Sequence, residues 1–209
     1  MEMSHWAESL RSGWAGVAAG PLLILSSGIQ LMVHVQEPDG TVVAPVLFTA
    51  LTALWALGMI CVAVTVREIA ARPATAGAPL TRAGRIGVHA VVAGCGLQVA
   101  FAVAAAVTAA LNGKPLEAVF LLFALGFLAL IVGAGLLGTA VRRSGALGAA
   151  RMPLWFGAAS ALAAIVVPLD PWHDVALFAF DASWAGLGAV LLRDSRRPVA
   201  RLAAARAGA

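Results

Sequence analysis

One aspartate, Asp181, sits in a run that is otherwise apolar: Val175 to Leu192 reads VALFAF, then the acid, then ASWAGLGAVLL. A carboxylate roughly two turns inside hydrocarbon costs a few kcal/mol, and chains that keep one turn it toward a cavity or a partner. Asp181 is therefore the first candidate for chemistry. Phe178 and Trp184 lie about one helical turn to either side, with Phe180 and Trp172 close by. A carboxyl in apolar surroundings can stay protonated and act as an acid. Aromatic faces stabilise cations, by about 2 kcal/mol or more when desolvated. A proton donor among aromatic faces suits protonation of an alkene or epoxide followed by cyclisation. His34 or Asp174 would serve as the base that quenches the cation. His34 and Asp181 could equally be each other's partner in an ion pair.

Three polar stripes carry these residues. At 3.6 residues per turn, Gly13, Gly16, Gly20, Ser27, Gln30, His34 and Glu37 share a face. A second stripe holds Gly87, Gly94, Gln98, Ala105, Thr108 and Asn112. A third holds Asp174, Phe178, Asp181, Trp184 and Gly188. The stripes imply a cavity in the outer half of a membrane, open outward or laterally, in which Gln30, Gln98, Asn112, Phe178, Phe180, Trp172 and Trp184 bind substrate. Below it, glycine and alanine seams such as Gly16-xxx-Gly20 allow helices to close tightly. The stretch between Glu117 and Thr139 has no polar side chain and reads as a lipid-facing or hydrophobic wall.

The elements that position these stripes follow from composition. With 61% hydrophobic and only 11% charged residues, the chain lies far outside soluble norms. Six apolar stretches, near 14–35, 44–66, 86–111, 116–141, 153–169 and 171–192, approach or exceed the length that crosses a bilayer core of about 30 Å. Backbone in lipid must bond to itself, so the expected fold is all-α, one compact bundle of six transmembrane helices over residues 1–193. The fifth span is the shortest. A basic tail, 194–209, follows and can lie on anionic lipid.

Charge sets the orientation. Of 14 Lys and Arg, 13 fall at Arg11, in the 67–85 loop, at Arg142, Arg143 and Arg151, and in the C-terminal segment. With six spans, all four places lie on one side, which the positive-inside rule makes cytoplasmic. The expected location is the plasma (inner) membrane, multi-pass, with both termini cytoplasmic. The N-terminus, with two glutamates before the first span, does not read as a cleavable signal. Two halves of three spans would form an inverted pair, although no motif is shared between them.

Several chemistries are excluded. Basic residues confined to loops and tail argue against nucleic acid as a partner. Cys61 and Cys95 both fall within spans, so neither a disulfide framework nor a thiolate metal site is indicated. Bis-histidine haem needs pairs of histidines at similar depth on facing helices; His34 and His173 are near the outer surface and His89 at the inner one, so a single pair is conceivable and it fits poorly. No HExxH, GxSxG or phosphate-loop motif occurs. The expected partners are a lipophilic small molecule and membrane lipid, with no metal and no cofactor; a homo-oligomer is compatible with the small size.

On size, span number and the acid-plus-aromatic setting of Asp181, Trp184 and Phe178, the chain resembles the small membrane-bound terpene cyclases of microbial meroterpenoid and indole-sesquiterpenoid pathways. The fungal members have seven spans, against six here. The resemblance implies a membrane-level acid that starts carbocation chemistry on an isoprenoid substrate. Two other classes stay open: a small proton-coupled transporter built on Asp181 and His34, and a packing protein without chemistry.

Overall fold

The structure, a computed structural model, describes residues 2–33, 35–37, 39–75, 80–144, 148–166 and 172–207, with side chains for 13–30, 32–33, 35–37, 39–71, 80–142, 149–166 and 175–194. It is all-helical: α1 (Glu2–Met32), α2 (Pro45–Thr75), α3 (Arg82–Asn112), α4 (Phe120–Ser144), α5 (Arg151–Val166) and α6 (Trp172–Ala207), with single 3₁₀ turns at Glu117–Val119 and Gly148–Ala150. No strand occurs among the described residues. Four stretches are long and apolar enough to cross a membrane, Pro45–Ala71, Arg82–Asn112, Glu117–Arg142 and Val175–Asp194. The helices run past these apolar stretches, α2 to Thr75 and α4 to Ser144. The 16-residue α5 is the shortest α-helix, about 24 Å long. At the other end of the chain, α6 continues past its apolar stretch to Ala207.

Each helix packs on its neighbours in sequence, and α6 closes back onto α1. This order rules out the inverted pair. Carrying α1–α3 onto α4–α6 around such a ring is a half-turn about the ring's own axis, which preserves up and down. Three antiparallel helices per half would reverse it.

Two seams of small residues hold the ring. On α1 and α6, a Cβ added at Gly16 would lie 2.6 Å from the Cα of Gly188, and one at Gly20 would lie 2.5 Å from the Cβ of Ala185. The Gly16-xxx-Gly20 motif therefore does bring backbones together. On α3 and α4, Gly87 faces Gly133 and Gly94 faces Gly126, each with a neighbouring carbonyl 2.8 Å from where a Cβ would stand. The seven-residue spacing on both helices keeps the small residues in one seam as the helices wind past each other. The outward surfaces carry the reverse pattern. Leu57, Ile60 and Val64 on α2 and Leu121, Leu125 and Leu128 on α4 are exposed, as expected where the solvent is lipid.

The end of the bundle bearing the α1–α2 and α3–α4 connections is closed on one side. Gln36 and Val42 form an antiparallel bridge, Gly40 supplies a turn at φ 87°, and the Val42 amide donates to the Gly113 carbonyl at 2.8 Å. The loop thereby seats Val35 and Val42 on Phe48, Leu51, Ala105, Ala109 and Val119. Asp39 fixes the turn: its carboxylate accepts from the Thr41 amide at 3.0 Å and the Thr41 hydroxyl at 2.9 Å. The Thr41 backbone bond, then the Thr41 hydroxyl, and more weakly the charge of Lys114, hold the Asp39 carboxyl below its ordinary value of 3.8. A group whose folded value is depressed contributes order that is complete above its ordinary value and lost as pH falls through the lowered one. The Thr41 amide resonance is therefore expected to titrate with a midpoint below 3.8. A midpoint at or above that value would show that the turn does not depend on the carboxylate.

Candidate functional site

Asp181 lies on α6, six residues beyond the start of its apolar stretch Val175–Asp194 and so about 9 Å along it. It is 1% exposed and is the one buried carboxyl group among the described residues. Its helix carries two faces. Asp181 and Gly188 address α1, with the Asp181 carbonyl 3.1 Å from where a Cβ on Gly20 would stand. Phe180, Trp184 and Leu187 enter the main apolar core. The acid therefore stands where the α1·α6 seam meets the aromatic interior.

Its partner is Ser27. The Ser27 Oγ lies 3.2 Å from Asp181 Oδ2 and 3.0 Å from the Leu23 carbonyl. A serine hydroxyl has one proton to donate. That proton is shared between two acceptors, the Leu23 carbonyl and Asp181 Oδ2. The other oxygen, Oδ1, is buried and has no hydrogen-bond partner among the described residues; the same is true of Trp184 Nε1.

Beside the acid runs a row of aromatic rings. Trp184 meets Phe180 edge-on at 5.8 Å, Phe180 meets Phe127 at 5.1 Å, and Phe127 stacks on Phe123 at 5.5 Å. From Phe123 the row continues to Phe101 at 5.2 Å and Phe120 beyond it at 5.7 Å, with Trp55 at 6.4 Å to one side. Such rings present the negative faces and positive edges that favour tilted contacts and attract cations.

The sequence-derived candidates divide sharply. Phe180 and Trp184 are buried beside Asp181, and Phe178 is half-buried against Gly28 of α1. His34 lies outside the described residues. Asp174 and Trp172 fall in the first turn of α6, where side chains lie outside the described ones. Gln30 is exposed. Asn112 is also exposed and donates to the Thr108 carbonyl of its own helix at 3.1 Å. Neither shares a site with Asp181.

Gln98 is fully buried and holds three helices together. Its amide donates to the Phe123 carbonyl of α4 at 2.9 Å, and its carbonyl accepts from Trp55 Nε1 of α2 at 3.3 Å. Gln98→Leu would strand the Trp55 donor, although interhelical bonds in membrane proteins average only about 0.6 kcal/mol. The expected loss is about 1 kcal/mol, read as a lower melting temperature in detergent without loss of helicity. An unchanged melting temperature would remove this bridging role.

Two features were missed from sequence. Ser27 belongs to the first stripe, yet nothing in its spacing singles it out as the partner of Asp181 over His34. Phe123 and Phe127, an i, i+4 pair on α4, were absorbed into the hydrophobic wall. They form half of it, since α4 turns these rings inward while Leu121, Leu125 and Leu128 face out. Comparisons with protein-family models, with characterised proteins and with solved structures each return no match, so the reading of this site rests on its own geometry.

Proposed function

We propose that the protein is a membrane-embedded acid catalyst acting on a lipophilic, isoprenoid-type substrate, with Asp181 as the proton donor. The observation that carries this reading is a lone buried acid, one oxygen held by Ser27 and the other unpaired, against a row of aromatic rings. In the step that follows, the Asp181 proton adds to one carbon of an alkene, and the π pair becomes the new C–H bond. The cation left on the neighbouring carbon is stabilised by the faces of Trp184, Phe180 and Phe127. It cyclises or shifts and then loses a proton, to the Asp181 carboxylate or to a base such as His34 or Asp174. The net reaction is an isomerisation, and the acid is restored. This is chemistry of the kind carried out by small membrane-bound terpene cyclases.

Six spans with both termini in the cytoplasm, in the plasma membrane, are part of the same proposal. Arg67, Arg82, Arg85, Arg142, Arg151 and Arg193, from five helices, are all exposed. Arg82, Arg85 and Arg151 lie in the first turns of α3 and α5, Arg142 in the last turn of α4, and Arg67 and Arg193 near the ends of the apolar stretches of α2 and α6; the positive-inside rule assigns that end to the cytoplasm.

The test is the fate of a solvent proton. Wild-type protein is given a panel of polyprenyl alkenes in deuterated water, and lipid extracts are analysed by mass spectrometry. An isomer carrying one carbon-bound deuteron, formed by wild type and missing with Asp181→Asn, is the expected result. Identical extracts from the two proteins across the panel would overturn it. Proton flux into liposomes that depends on Asp181 would then favour the transporter.

A further inference from the structure

The two buried polar atoms without partners, Asp181 Oδ1 and Trp184 Nε1, are three residues apart on α6. Residues at that spacing sit on neighbouring positions of one helix face, with Cβ atoms about 5–6 Å apart. Their side chains are 1% and 2% exposed, so bulk water does not solvate them. Buried polar groups left unpaired cost free energy that native structures rarely carry without a use. The two atoms are complementary in kind. The indole N–H can only donate. Asp181 Oδ1 accepts when the carboxyl is ionised, and equally when a proton sits on Oδ2; Oδ2 is the oxygen that Ser27 already meets.

We propose that Asp181 and Trp184 form a binding site for one hydroxyl group, whose O–H donates to Asp181 Oδ1 while its oxygen accepts from Trp184 Nε1–H. A ketone or ether could meet only the indole, and an ammonium only the carboxyl; a hydroxyl meets both. The site is walled by Phe180, with Phe127 next to it, so the group that brings the hydroxyl is apolar. Resting on the acid-catalyst reading, this narrows the substrate to a lipophilic alcohol, anchored by its oxygen beside the acid. A water molecule offers the same O–H chemistry and is the second source.

The experiment observes the indole N–H directly. The full chain, labelled with ¹⁵N-tryptophan and solubilised in detergent, gives indole resonances among which Trp184 is identified by its loss in Trp184→Phe. Farnesol and its hydroxyl-free counterpart farnesene are then titrated in. The expected result is a saturable downfield shift of the Trp184 resonance with farnesol and none with farnesene. Asp181→Leu should weaken farnesol binding by about tenfold, the equivalent of one hydrogen bond. The remaining indole resonances report whether each variant keeps its fold. A Trp184 resonance that is already hydrogen-bonded and shows transfer from water, unmoved by farnesol, would identify water as the guest. A resonance at the unbonded position under every condition would overturn the site. No turnover is needed, so a protein that binds farnesol and yields no product would refute the acid catalyst while leaving the hydroxyl site standing.

Discussion

Asparagine in place of Asp181 is expected to lower product formation by at least about a hundredfold, the lower bound of what a positioned general acid contributes. The variant has the same shape, and its amide oxygen still accepts from Ser27, now 3.2 Å from the carboxyl. Nothing in the α1·α6 seam has to move, so the melting temperature in detergent should stay close to that of wild type. Asp181→Leu separates the two roles the acid could have. If Asp181 were structural, losing its bond to Ser27 would destabilise the protein. If the buried carboxyl is kept for chemistry, an apolar side chain removes the unpaired Oδ1 and should raise stability, by about 1–3 kcal/mol. Inactive yet more stable is the signature of a functional buried acid. An asparagine variant with activity within tenfold of wild type would remove Asp181 from the reaction.

Alanine in place of Gly188 is expected to have the largest effect on stability. A Cβ there would run into the Val17 amide nitrogen and the Gly16 carbonyl carbon. Both are backbone atoms of α1, so no rotamer change relieves the collision. The helices must move apart, and overpacking of that kind costs about 1–3 kcal/mol even where side chains can yield. The expected loss is at the upper end of that range or beyond it. Separation would also draw Ser27 from Asp181, which lies about two turns along the same seam, so residual activity should fall with stability. Gly96→Ala is the control: a Cβ at Gly96 meets nothing within 4 Å. There the better helix propensity of alanine should leave the protein unchanged or up to about 1 kcal/mol more stable. Equal melting temperatures for Gly188→Ala and wild type would show that the seam is looser than its backbone contacts.

The helices and their approximate places were determined by sequence alone, because in lipid the backbone has no alternative and apolar length reports a span directly. Asp181 was legible for a related reason: an acid is so costly inside an apolar run that its presence is informative without any neighbour. The glycine seam was legible as Gly16-xxx-Gly20, since only small residues on one face let backbones touch. What faces each residue was decided by tertiary structure. Periodicity gives the direction of a side chain relative to its own helix, not which helix stands opposite or where the helix ends. Gln30 and Asn112 fit their stripes and still turn outward, because each lies near the end of its helix, past the packed seam. Gln98 fits its stripe and turns inward, but onto Trp55 and Phe123, which consume its hydrogen bonds. Ser27 became the partner of Asp181 only when α6 returned to α1, a closure across 154 residues that no local pattern records. The row from Phe120 to Trp184 likewise comes from three different helices. Its continuity depends on the ring order of the bundle, which the sequence leaves open and side-chain packing between helices fixes.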